Sequence, residues 1–168
     1  MLDEKLLLEL KIFVEKHINV PDFALCKSAK FMDQSVCEEI QVVDLEEYIN
    51  NNRKPAFSQI LFKLIDKKGV PDSEIYKKAG IDRRHFSKIR SNPEYKISKN
   101  TAIALALALE LSKKDTDELL GAAGYYLSDN ETLDLVIQFC IKKRIYDIHS
   151  VNQALDYFSL KPLAGVAE

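Results

Sequence analysis

Residues 72–91 read DSEIYKKAGIDRRHFSKIRS, and their spacing predicts two short helices around a tight turn. The first runs across Asp72–Ala79 and stops at Gly80, a residue that tolerates the left-handed backbone a turn requires. Ile81 follows as the apolar residue that pins the turn into a core. Asp82 caps the second helix, which runs to about Ser91 and ends before the turn signal Asn92-Pro93. Phe86 and Ile89, three apart, mark its buried side. Arg83, Arg84, Ser87 and Lys88 therefore point away from the core.

Working outward, the helical period continues on both sides. Phe57, Ile60, Leu61, Leu64 and Ile65 form one apolar stripe ending at Lys68-Gly69. Ser98 caps an alanine- and leucine-rich segment reaching Leu111. Ser112-Lys113-Lys114-Asp115 resembles a capping box with Asp in place of Glu, and opens a helix that Gly124 closes. Five short helices thus fall within residues 56–125. Upstream, Leu2, Leu6, Leu10, Phe13, Val14 and Ile18 recur at helical spacing until Asn19-Val20-Pro21. Residues 21–44 are irregular, with a second short helix expected at Asp33–Ile40. The polar run Asn50 to Pro55 marks a boundary. Downstream, Leu133, Val136, Ile137, Cys140 and Ile141 form one stripe, and Val151, Ala154, Leu155 and Phe158 the next.

Strand signal is scarce, because Gln41-Val42-Val43 is too short to build a sheet. The expected class is all-α. Residues 53–125 form a five-helix domain, residues 1–52 an acidic N-terminal helical region, and residues 126–168 an extension containing a helical hairpin.

The 168 residues suit one domain or one domain with an appendage. Cys26, Cys37 and Cys140 include no C-x-x-C pair, which argues against a disulfide framework and a cysteine zinc site. The N-terminus mixes charge into its leucines, unlike a signal peptide. The longest apolar run, Ala102 to Leu109, is too short to span a bilayer. The expectation is a cytoplasmic protein that does not engage a membrane.

A formal charge of −2 argues at first against a polyanionic partner, but the charge is not spread evenly. Residues 1–52 hold 5 Lys/Arg and 11 Asp/Glu, residues 53–99 hold 13 and 5, and residues 100–168 hold 6 and 10. One block of net +8 lies between arms of −6 and −4. Association with a polyanion depends on the field over a face rather than on the chain average. The basic block coincides with the helix pair at 72–91.

That pair has the spacing of a helix-turn-helix, whose second helix presents its N-terminal part to base edges in the major groove. Arginine on guanine is the commonest such contact, worth about 1–3 kcal/mol of discrimination. Glu74-Ile75, Ala79-Gly80-Ile81, Phe86-Ser87-Lys88-Ile89, Ser98, Thr101, Leu105, Ala106 and Leu109 together resemble the lambda-repressor/Cro-like (XRE-type) helix-turn-helix domains of bacterial and phage regulators. The resemblance covers roughly two-fifths of the chain. It implies Arg83, Arg84, Ser87 and Lys88 as base-contacting residues, and Lys96, Lys99 and Asn100 as phosphate-contacting ones. It also implies double-stranded DNA as partner and a homodimer, for which the C-terminal helices are the expected surface.

Several positions depart from that pattern. Tyr76 stands where the family has a small alanine and is expected to push the two helices apart or re-angle them. Asp72 stands in place of a glutamine that touches the DNA backbone, and its charge would repel phosphate. Arg90 replaces an acidic residue. Asn92 replaces a glycine and is expected to accept a left-handed conformation. A looser likeness runs from Phe57 through Phe158, on Phe86 to Asn92 and Gly121-Ala122-Ala123-Gly124-Tyr125. It is to a helical module of bacterial proteins that occurs alone or beside domains such as macrodomains. It implies an adaptor that binds a protein partner.

Other residues read as structure. His85 covers a helix edge, His17 and His149 have no partner at ligand spacing, and Cys140 is a small buried hydrophobe. Cys26 and Cys37 lack surroundings that activate a thiol, apart from the nearby Lys27. Glu38-Glu39 and Glu46-Glu47 are adjacent pairs that splay apart on a helix. No nucleophile elbow, metal set or phosphate loop is visible, so neither an enzyme nor a cofactor is expected.

Overall fold

The computed structural model describes residues 4–18 and 42–163, and those residues are all-helical. Nine helices occur among them: α1 (Glu4–Ile18), α2 (Val42–Asn52), α3 (Phe57–Lys68), α4 (Asp72–Lys78), α5 (Arg83–Ser91), α6 (Lys99–Ala108), α7 (Lys113–Ala122), α8 (Thr132–Lys142) and α9 (Ile148–Tyr157). Helix α1 and helices α3 to α9 build one compact unit, while α2 belongs to a second, residues 20–54. The helix expected at Asp33–Ile40, Cys26, Cys37 and the side chain of His17 lie outside the described residues.

Helix α6 forms the centre of the larger unit. Every residue from Ala102 to Leu109 is buried, which is the fate of a helix apolar on all sides. Helices α4, α7 and α9 pack around it, α3 packs on α7, and α8 joins α9, α7 and α1. The two tail stripes face this same core. Val136, Ile137, Cys140, Ile141, Val151, Ala154 and Leu155 are all buried. Those residues fill the interior of one chain and are not a free surface for a second copy. Helix α1 contributes Leu10 and Val14 to the core, and the Phe13 and Phe139 rings meet at 5.4 Å.

Helix ends follow the local chemistry. Ser98, Ser112, Asp82 and Asp147 each accept a backbone N–H in the first turn of the helix they cap. The Ser112–Asp115 pair differs from a true capping box: the Asp115 carboxylate accepts from the Ser112 hydroxyl, at 2.6 Å, and not from the backbone N–H of Ser112. At the other ends, six chain reversals use a left-handed residue. Gly69, Gly80 and Gly124 do so freely, but Glu110, Arg144 and Ser159 adopt φ of 48°, 58° and 55° at a steric cost. The reversal at Glu110 stops α6 at Ala108, short of the Leu111 expected from apolar content. The Leu111 N–H closes back on the Ala106 carbonyl at 3.1 Å.

Helix α2 is a departure from the sequence reading, which placed irregular chain up to residue 44 and a break from Asn50. The asparagine run is instead the last turn of the helix. Asn52 donates from its side chain to the Tyr48 carbonyl at 2.8 Å, supplying a partner that a helix terminus otherwise lacks.

Candidate nucleic-acid interface

Helices α4 and α5 are joined by Ala79 to Asp82. Gly80 has φ of 62°, and the Ile81 N–H returns to the Tyr76 carbonyl at 2.8 Å, so the chain reverses within four residues. Ile81 is buried and anchors the turn. Asp82 accepts the Arg84 N–H at 2.6 Å and starts α5. Phe86 and Ile89 are buried. At 100° per residue, Arg83, Arg84, Ser87 and Lys88 fall within an arc of about 140° on the opposite side. All four are exposed.

The basic residues of the block divide into two kinds. Some are already engaged: Lys78 with Glu74 at 2.9 Å, Arg90 with Asp72 at 2.7 Å, and Lys99 with Asp134 at 2.6 Å and Glu131 at 3.6 Å. Glu74 holds the Lys78 ammonium above its ordinary pKa, through a hydrogen bond first and charge second. Arg83, Arg84, Lys88 and Lys96 make no ion pair among the described residues. The outer face of α5 is therefore cationic and uncompensated.

The departures at Asp72 and Arg90 resolve each other. Their side chains pair across α4 and α5, and the Arg90 guanidinium also lies 4.4 Å from the centroid of the Phe62 ring. The Asp72 charge is thus neutralised from within the protein. Tyr76 packs its ring 5.8 Å from Phe86, which meets Phe62 edge-on at 5.9 Å. The bulk of Tyr76 is absorbed in this aromatic cluster while α4 and α5 remain in contact. Asn92 does not use the left-handed conformation: its φ is −125°. Its side chain instead accepts the Glu94 N–H at 3.0 Å, an Asx turn that leads the chain away from α5.

The segment after that turn carries Lys96, which is exposed. Tyr125 donates its hydroxyl to the Ile97 carbonyl at 2.9 Å and so fixes this segment against the end of α7. His85 lies edge-on to Tyr95 at 5.7 Å and is half-buried. Lys99 is placed differently from Lys96. It is only 26% exposed, and its ammonium is drawn toward Asp134, which is fully buried. Asp134 also accepts the Ser128 N–H at 2.7 Å. Asn100, beside Lys99, is half-buried.

Sequence reasoning missed the Asp72–Arg90 and Lys99–Asp134 pairs. The first had a signal, since two departures of opposite charge invite pairing. The second, across 35 positions, had none.

No group of three or more His, Cys, Asp or Glu side chains among the described residues is placed to hold a metal ion. Burial pushes the Cys140 thiol up to about 12. No helix among the described residues is long and apolar enough to cross a membrane. In comparisons with known proteins, the chain matches no family model, no curated protein and no solved structure.

Proposed function

We propose that the chain is a sequence-specific double-stranded-DNA-binding protein, a transcriptional regulator of the lambda-repressor/Cro-like helix-turn-helix type. Helix α5 enters the major groove, with Arg83, Arg84, Ser87 and Lys88 reading base edges and Lys96 contacting a phosphate. One observation carries this reading. The cations that face outward from α5 cluster on one face without an internal carboxylate among the described residues, as Lys63, Lys67 and Lys77 elsewhere in the block also lack one, whereas Lys78, Arg90 and Lys99 are engaged within the protein. A cationic face held free of counter-charges suits a polyanion. Lys99 ties α6 to α8 through Asp134, so this reading gives the phosphate contact to Lys96, and Asn100 lies half-buried beside Lys99.

The test is selection of binding sites from random duplexes, followed by fluorescence anisotropy at several salt concentrations. The regulator reading expects enrichment of a defined site and affinity that falls with salt by about 0.9 log units per log unit for each phosphate contact. Replacing Arg83, Arg84 and Lys88 by alanine removes the preference for that site. Failure to bind any duplex near physiological salt overturns the proposal.

A further inference from the structure

The side of α1 that faces away from the core carries two apolar residues among the exposed charges of Lys5, Lys11, Glu15 and Lys16. Leu8 and Ile12, one turn apart, are 59% and 57% exposed, although Leu10 and Val14 of the same helix are buried. Ile12 borders a groove of about 340 Å³ between α1 and α8, floored by Phe13 and Phe139. The rim carries Lys16, Lys142 and Lys143 against one acid, Glu9. Lys143 already takes that acid, and their hydrogen bond, with the lysine charge behind it, holds the Glu9 carboxyl below its usual range. Lys142 and Lys143 lie with their ammonium groups 5.6 Å from the centroids of Phe13 and Phe139. Lys16 and Lys142 have no ion-pair partner among the described residues.

We propose that this groove docks an acidic amphipathic helix of a partner protein. Apolar side chains one turn apart would rest on Ile12 and the half-buried Phe13, with Phe139 buried beneath them, and flanking carboxylates would meet Lys16 and Lys142. The charge selects the occupant. A second copy presenting the same face would set Lys16 and Lys142 against their own kind, a juxtaposition that opposes self-pairing. The concavity favours a helix over a bilayer, whose flat surface reaches Leu8 and Ile12 but not the aromatic floor. Helix α8 has 11 residues and is about 16 Å long, which fits an occupant of roughly three turns. The groove is built from α1 and α8, so this proposal does not depend on DNA binding by α5.

The experiment titrates the full chain against a labelled synthetic helix of about four turns, with leucines on one face and glutamates beside them. The controls are the same peptide with lysine for glutamate, and vesicles of anionic phospholipid. Saturable micromolar binding of the acidic peptide is expected, and weakening with salt. Ile12→Glu and Lys142→Glu should each reduce affinity at least about tenfold, and Lys142→Glu should gain affinity for the lysine peptide. Lys16→Glu and Lys142→Glu carry the test if Ile12→Glu lowers the melting temperature. Equal binding of both peptides overturns the proposal, as does binding unaffected by these variants. So does an Ile12-dependent preference for vesicles, or an Ile12-dependent dimer in sedimentation.

Discussion

Replacing Lys99 by methionine separates the two roles open to this lysine, as an internal tie or as a DNA contact. The substitution keeps most of the side-chain volume and removes an ammonium group 2.6 Å from Asp134 Oδ2. The carboxylate left behind is fully buried. One hydrogen bond from the Ser128 N–H remains on Oδ2, and Oδ1 has no partner. Stripping the partner from a buried ion pair costs about 3–5 kcal/mol. Lys99 is 26% exposed, so water reaches its side of the pair and lowers the cost to about 2–3 kcal/mol. For a domain of this size that is a drop of roughly 4–12 °C in Tm. Urea denaturation gives the free energy, with an unchanged m value indicating that the unfolded state is unaltered. Adding Asp134→Leu to Lys99→Met should recover most of the loss, because an apolar pair of similar volume needs no counter-charge. A single-variant cost under about 0.5 kcal/mol, typical of an exposed pair, would refute the reasoning. So would a double variant no more stable than Lys99→Met. If the chain binds DNA as proposed, Lys99→Met should leave the affinity of the folded protein within about twofold, whereas Lys96→Ala should weaken it and lower the salt slope by roughly one phosphate contact.

Three further predictions concern the frame that carries the interface. Cys140 should resist iodoacetamide in the native protein and react fully in denaturant, read by peptide mass spectrometry, because burial holds its thiol up at about 12. Labelling at the unfolded rate would show that α8 does not pack as described. Ser159→Gly should raise stability by about 0.5 kcal/mol, since relief of the left-handed backbone at Ser159 outweighs the extra freedom of glycine in the unfolded chain; thermal denaturation decides the sign. Asp147→Ala should cost about 1 kcal/mol near pH 7 by removing the cap of α9. The Ser150 N–H holds the Asp147 carboxyl below its ordinary range, with help from the Ser150 hydroxyl and His149. Its contribution is therefore complete above the unfolded pKa of about 4 and is lost as pH falls through the lower folded value. The wild-type and variant stabilities should converge in acid.

Much of the helical order was legible in the linear chain. Gly69, Gly80 and Gly124 marked ends, Asp82, Ser98 and Ser112 marked starts, and the apolar periods between them located α3 to α9. These signals are local: a cap or a left-handed turn is decided by neighbours within one helical turn. Legibility failed at Glu110, Arg144 and Ser159, exposed non-glycine residues that take the left-handed conformation with no glycine to mark it. It failed also in α2, whose asparagines read as a break and form a last turn.

For the candidate interface, the sequence by itself determined which residues share the outer face of α5. Spacing at 100° per residue settles that Arg83, Arg84, Ser87 and Lys88 oppose Phe86 and Ile89. It also located a basic block that the net charge concealed. Only the tertiary structure decided which of those cations remain uncompensated, because a carboxylate partner can come from any helix that packs nearby. Asp72 reached Arg90 across α4 and α5, and Asp134 reached Lys99 from α8. Burial made the second pair costly to break, since a polar group inside a core is expensive without partners against it. The same packing turned the apolar stripes of the tail inward and left Leu8 and Ile12 of α1 facing out.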